Sequence, residues 1–151
     1  GKERTGIMRK KYVFLLFAAS VCMMAGCGKG NVSDVQIDYG DSAIYSKEDM
    51  DEAIAVIKDE FNTSQWSGFD LNHISYSSDD KCDPDNLGWL KDLAEANLKS
   101  GDFTQCIMFE SDFHTPEDAP GTWNADSDYY DYQWWLVRTD DSGWEVLSKG
   151  Y

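Results

Sequence analysis

Two polar side chains, Asp112 and His114, have the residue types needed for acid–base catalysis and lie on one predicted strand. Because they are two positions apart, they project from the same face of that strand. Cys106 shares this face, but it lies about 26 Å from His114 at about 3.3 Å per residue, which is too far for a hydrogen bond. The chain has no Gly-x-Ser-x-Gly or His-Glu-x-x-His motif. Asp112 and His114 are therefore the catalytic candidates, and they also fit an ordinary strand end that faces solvent.

Aromatic residues are crowded around the last predicted hairpin: Trp123, Tyr129, Tyr130, Tyr132, Trp134, Trp135 and Trp144. Alternation places Tyr130, Tyr132 and Trp134 on one strand face and Tyr129 and Trp135 on the other. One row is expected to build the core. The other row, with Trp123, is expected to line a groove, because flat rings bind sugar rings and extended peptides. We take Trp123, Tyr130, Tyr132 and Trp134 as the candidate ligand-binding residues.

Aspartates form two clusters that suit calcium, which prefers several carboxylate oxygens. One cluster precedes the second predicted helix and the other flanks the last hairpin. Their members are Asp79, Asp80, Asp83 and Asp85, and Asp126, Asp128 and Asp131. Neither cluster has EF-hand spacing. Calcium binding is one interpretation, and helix capping and turn formation by the same side chains is the other.

Cys82 and Cys106 form an even pair of cysteines after the N-terminal region. A disulfide between them would close a loop of about 25 residues and contribute about 3 kcal/mol if unstrained. An oxidising compartment would favour that bridge. A free thiol at Cys106 is equally ordinary, because this residue lies in an apolar strand pattern.

The N-terminal region has the order of an export signal. Basic residues at 9–11 precede an apolar run of 13 residues at 12–24, and two small residues then stand before Cys27. The run is shorter than the about 20 residues that a membrane span requires. We predict that residues 1–26 are an upstream extension and a lipoprotein signal peptide and that Cys27 carries the lipid. An export signal without lipidation is the alternative.

Charge limits the classes of partner. Five of the 13 Lys and Arg residues, but only one of the 28 Asp and Glu residues, lie before Cys27, so the rest of the chain has a net charge of −19. This acidity argues against nucleic acid, which is bound through Lys and Arg. Solubility outside the cell explains it, and so does binding of a cation or a basic partner. We predict a position on the outer face of the cytoplasmic membrane, held by the lipid on Cys27.

Composition divides the remaining chain into a tether and one domain. Residues 27–45 are rich in Gly, Ser, Asn and Asp and are expected to be mainly flexible, with 35–45 folding against the domain. Residues 46–151 suffice for one hydrophobic core. Within them we predict a helix, a strand at 69–76 with a bulge near His73, a second helix, and three more strands.

Both predicted helices have recognisable start signals and apolar faces. Ser46 and Asp49 form a capping box, and Asp83 stands before Pro84 at the second start. The apolar faces comprise Met50, Ala53, Ile54, Ile57 and Phe61 in the first helix, and Leu87, Leu90, Ala94 and Leu98 in the second. The strand that follows alternates, with Ile107, Phe109 and Phe113 on one face and Cys106, Met108, Glu110, Asp112 and His114 on the other.

This order predicts an α+β domain in which two helices cover one face of a curved, mainly antiparallel four-stranded sheet. The domain also resembles a family of small, uncharacterised lipoproteins of Gram-positive bacteria over residues 45–151. The resemblance rests on Gln133-Trp134-Trp135-Leu136-Val137-Arg138, Gly143-Trp144-Glu145-Val146, Gly150-Tyr151 and Tyr45-Ser46-Lys47-Glu48-Asp49. It implies a cystatin-like or NTF2-like fold, whose sheet wraps a pocket, and it implies no catalytic residue.

These observations favour a surface-anchored binding protein without enzymatic activity. Its ligand would be a glycan, a peptide or an envelope protein, contacted by the loop at 115–128 and the hairpin aromatics. One alternative is an NTF2-like small-molecule enzyme that uses Asp112 and His114, and another is an envelope accessory protein. A closed pocket holding both side chains would favour the enzyme, whereas an open aromatic groove would favour the binding protein.

Overall fold

A computed structural model describes residues 28–151. The elements, in chain order, are β1 (Gln36–Asp38), α1 (Lys47–Phe61), β2 (Asp70–Tyr76), α2 (Pro84–Ala96), β3 (Gln105–His114), β4 (Asp128–Arg138) and β5 (Glu145–Gly150). Short 3-10 helices occupy Ser64–Trp66 and Asp79–Cys82. Within this part of the chain, no helix has both the length and the apolarity needed to cross a bilayer.

The helix starts lie where the caps predict them. Ser46 Oγ accepts a hydrogen bond from Asp49 N at 3.1 Å, and Asp49 Oδ2 accepts one from Ser46 N at 3.2 Å. Asp83 Oδ1 accepts from Asn86 N at 2.8 Å, with Pro84 as the first residue of α2. Each cap satisfies N–H groups that have no partner within the helix. Both predicted start sites are confirmed.

Helix α2 ends earlier than the pattern predicts. Leu90 and Ala94 are its buried residues, and the helix stops at Ala96. Leu98 adopts a left-handed backbone conformation with φ +58° and is 96% exposed. A left-handed residue commonly closes a helix, so the prediction that Leu98 continues the apolar face is wrong.

The five strands form one open, mixed sheet in the order β1-β2-β3-β4-β5. β1 is parallel to β2, and the other neighbours are antiparallel. The predicted count of four strands omits β1, whose three residues are too few to show a pattern. Earlier in the predicted tether, Asn31 extends the same edge by donating to Phe69 O at 2.8 Å and accepting from Leu71 N at 2.9 Å.

The two helices cover opposite faces of the sheet, whereas the sequence predicted both on one face. Residues of α1 cluster with Phe109, and residues of α2 cluster with its neighbour Met108. Consecutive strand residues point to opposite faces, so we name these the α1 face and the α2 face. The second apolar row explains the difference, because α2 keeps water from Cys106, Met108, Trp135 and Val137.

Bulges interrupt the sheet at three places. They lie between Leu71 and His73 in β2, opposite Asp112 in the β3–β4 pair, and between Trp135 and Leu136 in the β4–β5 pair. The first confirms the bulge predicted near His73. A bulge adds one residue to one strand and thereby changes which side chains share a face.

Candidate functional site

Helix α2 covers only one end of the α2 face. Cys106 and Met108 of β3 are buried beneath it, but Glu110, Asp112 and His114 further along the same strand are partly exposed. We call this uncovered region the polar half of the α2 face. It is the part of the sheet where side chains can meet a ligand without unfolding the core.

A cleft of about 440 Å³ lies at the β1 edge of the polar half. Its lining comprises Asp34, Gln36, Asn72, His73 and Asp112. Among the described residues, those in the lining supply two carboxylates, two amides and an imidazole, and no Lys, Arg, Ser, Thr or Cys. The cleft can therefore accept hydrogen bonds and attract positive charge, but its lining offers no serine or cysteine nucleophile.

Asp112 is held at the centre of this arrangement by the bulges on either side of it. It pairs with His73 across β2–β3, and its Oδ2 lies 3.7 Å from His73 Nδ1. Its Oδ1 accepts a hydrogen bond from Asp131 N at 3.2 Å. Asp131 has φ +59°. It lies in the β4 bulge, where two residues, Tyr130 and Asp131, stand opposite the single residue Asp112. The bulge thus fixes the Asp112 carboxylate by a backbone donor.

Carboxylates crowd the polar half beyond the cleft. Burial, followed by the charge of Asp131, raises the pKa of Glu110, while Lys81 acts in the opposite direction. Asp112 also raises this pKa. Like charges close together disfavour each other's ionisation. A cation that approaches this surface would therefore reduce the repulsion between its carboxylates.

His114 is not brought together with Asp112, contrary to the predicted catalytic pair. Its Nδ1 lies 2.8 Å from Asp128 Oδ1, and its Nε2 lies 2.8 Å from Asp126 Oδ1. Hydrogen bonds to Asp128 first, and to Asp126 second, raise the pKa of His114. Asp112 instead faces His73, so the two residues have separate partners and separate roles.

The predicted aromatic groove is absent from the described part of the chain, because three of its four residues pack in or against the core. Tyr132 and Trp134 are buried on the α1 face, and Trp123 packs against the same cluster. Tyr130 alone of the four candidates is exposed, at 61%. The bulge at Asp131 breaks the alternation on which the prediction rested, and Tyr129 stacks on Phe113 at 5.5 Å between ring centroids.

Trp66 lies at the centre of these rings, although no pattern in the sequence distinguishes it. It is 2% exposed, and its ring centroid lies within 4.7–6.1 Å of six others. The six belong to Phe61, Phe69, Phe113, Trp123, Tyr132 and Trp134, and with Trp66 we call them the aromatic cluster. The Trp66 indole N–H is buried and has no acceptor among the described residues.

Four members of the aspartate clusters, Asp79, Asp83, Asp126 and Asp128, cap a helix or accept hydrogen bonds from other side chains and the backbone. Asp79 accepts hydrogen bonds from Ser42 Oγ at 2.6 Å, Ala43 N at 2.7 Å and Tyr76 Oη at 2.6 Å. The other cluster holds His114, as described above. Over residues 28–151, no group of three or more His, Cys, Asp or Glu side chains is placed to hold a metal ion. The calcium interpretation is therefore not supported, and the capping interpretation fits.

Both cysteines of the domain are free thiols, so of the two alternatives that the sequence leaves open the structure has the free thiols and not the Cys82–Cys106 bridge. Cys106 is buried, and its thiol points towards the Lys81 carbonyl at 3.9 Å. Burial raises the pKa of Cys106 to about 12. A thiol with so high a pKa is a poor nucleophile at neutral pH. The predicted lipidation site, Cys27, lies outside the described residues.

Sequence reasoning missed most of the cleft. Asp34 and Gln36 fall in the predicted tether, Asn72 has no signal of its own in the sequence, and His73 enters only through the predicted bulge. That bulge was the available signal, since a bulge commonly redirects side chains beside a functional site. Comparison of the chain with family models, with curated proteins and with solved structures finds no match.

Proposed function

We propose that this chain is a lipid-anchored binding domain on the outer face of the cytoplasmic membrane, without enzymatic activity of its own. The order of basic residues, apolar run and small residues before Cys27 supports the anchor. The resemblance over residues 45–151 to small lipoproteins of Gram-positive bacteria agrees with it. A helix against an antiparallel sheet on the α1 face suits a cystatin-like or NTF2-like fold, whereas α2 on the opposite face and the parallel β1 depart from it.

The observation that carries the binding function is the composition of the cleft. Two carboxylates, Asp34 and Asp112, line this open, shallow cleft together with two amides and an imidazole. Carboxylates grouped on a protein surface raise the local concentration of positively charged ligands. The net charge of −19 after residue 26 acts in the same direction. The ligand is accordingly an organic cation, namely the ammonium or guanidinium group of a basic peptide.

Amide groups complement the carboxylates in such a site. Ammonium and guanidinium groups have only donors, and each needs several acceptors when it leaves water. Gln36 and Asn72 can supply carbonyl oxygens beside Asp34 and Asp112. A bound peptide backbone would find donors in the same two amides and in His73. The cleft thus offers a charge partner for a basic side chain and polar partners for the chain that carries it.

Catalysis is less well supported than binding. His73 and Asp112 are 3.7 Å apart at their nearest ring nitrogen and oxygen, which is longer than a hydrogen bond that would orient a general base. The lining supplies no hydroxyl or thiol. The neighbouring His114 is engaged with Asp126 and Asp128, so it does not complete a catalytic set.

Calorimetry can test the ligand class with the 151-residue chain in detergent. The probes are the blocked amino acids N-acetyl-lysine methylamide, N-acetyl-arginine methylamide and, as the uncharged comparison, N-acetyl-norleucine methylamide. We expect the cationic probes to bind and the norleucine probe not to bind. Asp112→Asn or Asp34→Asn should weaken binding about tenfold, which corresponds to about 1.4 kcal/mol.

The matched control for this experiment is Asp92→Asn. Asp92 is exposed on α2, so this change removes the same charge outside the cleft. Binding that falls equally in Asp92→Asn and Asp112→Asn would show general attraction to an acidic protein and would overturn the cleft as the site. Equal binding of the norleucine probe would overturn the cationic class.

The anchor is tested separately by fractionation of a Gram-positive host that expresses the chain. We expect the unaltered protein in the membrane fraction and the Cys27→Ser variant outside it, because two acyl chains provide stable anchoring. Cys82→Ser is the control, since it removes a cysteine from the folded domain. Membrane retention of Cys27→Ser would contradict lipidation.

A further inference from the structure

His114 is bonded in a way that only its protonated form satisfies. Both ring nitrogens lie 2.8 Å from a carboxylate oxygen, of Asp128 on one side and Asp126 on the other. Ionised carboxylates only accept hydrogen bonds, and a neutral imidazole donates from one nitrogen only. Two such bonds therefore require the imidazolium ion. Loss of one proton removes one of the two bonds and the positive charge between the two aspartates.

The hydrogen bonds of His114 join the two ends of one loop. Segment 116–127 leaves β3 directly after His114 and Thr115 and returns to β4 at Asp128. Its base is also joined by Thr115 N to Ser127 O at 2.8 Å and by Asp126 N to Pro116 O at 3.0 Å. These backbone bonds do not titrate near neutral pH. The contacts of His114 are the part of this closure that responds to pH.

Segment 116–127 carries Trp123 onto the aromatic cluster. The Trp123 ring centroid lies 5.4 Å from that of Phe113 and 6.1 Å from that of Trp66. The closed segment has a backbone cost, because Asp126 has a left-handed backbone with φ +48°. The rings on which it packs include Trp66, whose N–H is buried without an acceptor among the described residues and would gain one from water. Because such costs oppose closure, the segment is suited to respond to a small change in the hydrogen bonds that His114 makes with Asp126 and Asp128.

We propose that His114 is a pH-responsive latch that holds segment 116–127 closed over the aromatic cluster while the imidazole is protonated and loosens it when the proton is lost. The expected motion is local. Trp123 withdraws from the rings, and water gains access to the cluster. The sheet and both helices keep their places, because their backbone hydrogen bonds and apolar packing do not depend on the charge of the His114 side chain.

The direction of the pH effect follows from the charges around the ring. Asp126 faces His114 from the loop, Asp128 from β4, and Asp70 is its register partner on β2. Asp112 lies two residues away on β3. All four are acidic, and hydrogen bonds to Asp128 and Asp126 raise the pKa of His114 above its ordinary value of 6.5. The latch is therefore fully closed below that ordinary value and is lost as pH rises through the raised pKa.

Fluorine NMR on the 151-residue chain in detergent, labelled with 5-fluorotryptophan, can follow the latch. Trp123→Phe assigns the Trp123 resonance, and proton NMR gives the pKa values of the chain's 2 histidines. From about pH 5 to about pH 9, which spans histidine titration, the Trp123 resonance should shift with the midpoint of His114. His114→Gln should abolish this shift. His73→Gln is the matched control and should preserve it.

Asp126→Asn and Asp128→Asn give an independent test that leaves the histidine in place. Each removes one charge from the ring's surroundings, so the midpoint of the Trp123 shift should move towards the ordinary histidine value. A Trp123 resonance that does not respond to pH in the unaltered chain would overturn the latch. So would a response that persists in His114→Gln, or a midpoint that stays fixed in both aspartate variants.

Discussion

The two faces of the sheet are built from the same strands but have opposite characters. On the α1 face, the aromatic cluster includes residues of β3 and β4, and all of its members except Trp123 are buried. On the α2 face, burial stops halfway along β3, and carboxylates and imidazoles follow. The difference shows that alternation along a strand supplies two rows of side chains, whereas the covering elements decide which positions become core.

The lengths of β3 and α2 explain why part of the α2 face is left uncovered. β3 has 10 residues, or about 33 Å at about 3.3 Å per residue. α2 has 13 residues, or about 20 Å at about 1.5 Å per residue. α1 is only slightly longer, but on its face the 3-10 helix at Ser64–Trp66 and segment 116–127 cover the remainder. On the α2 face the other 3-10 helix, Asp79–Cys82, packs near Cys106, at the end that α2 already covers. The far end of that face stays uncovered and is polar.

The largest expected effect comes from the centre of the α1 face. Trp134→Ala should lower the free energy of unfolding by about 3–5 kcal/mol, because it leaves a large cavity in a fully buried site. Tyr130→Ala, four residues earlier on β4, should change it by less than about 0.5 kcal/mol, since Tyr130 is exposed. Urea denaturation measures both variants. Similar losses in the two variants would break the contrast between the faces.

A smaller loss should follow from removing the Ser111 hydroxyl, which is buried among the rings. Ser111 Oγ accepts a hydrogen bond from Trp134 Nε1 at 2.8 Å and donates to Tyr132 O at 3.2 Å. Ser111→Ala should destabilise the protein by about 1–3 kcal/mol, because it leaves a buried indole donor unpaired. Ser111→Thr, which keeps the hydroxyl, is the comparison for urea denaturation. A neutral Ser111→Ala would mean that water reaches this part of the α1 face.

Helix α2, which covers the α2 face, can be destabilised at its N-terminus. Asp83→Ala removes the side chain that accepts from Asn86 N and should cost about 1 kcal/mol. Thermal unfolding monitored by circular dichroism measures the change. Asp92→Ala, in the exposed middle of α2, controls for the loss of an acidic side chain. If Asp83→Ala and Asp92→Ala are equal, the cap does not stabilise α2.

The smallest change in the free energy of unfolding is expected in the polar half of the α2 face, where it should depend on pH. Burial and Asp131 raise the pKa of Glu110. The folded state therefore holds the Glu110 proton more tightly than the unfolded state does. The stability that this proton contributes is lost as pH rises through the raised pKa. Glu110→Gln should remove this dependence and change stability at neutral pH by less than about 0.5 kcal/mol. Urea denaturation at acidic and neutral pH measures it. A pH dependence that is unchanged in Glu110→Gln would assign it to other groups.

Local signals were sufficient for much of the fold. The capping box at Ser46 and the Asp83-Pro84 start depend on contacts within four residues, and the alternation of β3 depends only on its own side chains. β1 and the placement of α2 depend on partners far away in sequence. The bulge at Asp131 has no sequence pattern of its own, since it is stabilised by Asp112 across the sheet. The cleft joins these three nonlocal features, so it could not be predicted.

Strand order in space is the same as strand order along the chain. Each strand therefore pairs with the one synthesised just before it, and no strand must insert between two that have already formed. During synthesis, the growing edge of the sheet is always its most recent strand. Sequential addition keeps the search for each new pair short. Only one of the two open edges changes as the sheet grows, while the other remains the outer edge of β1.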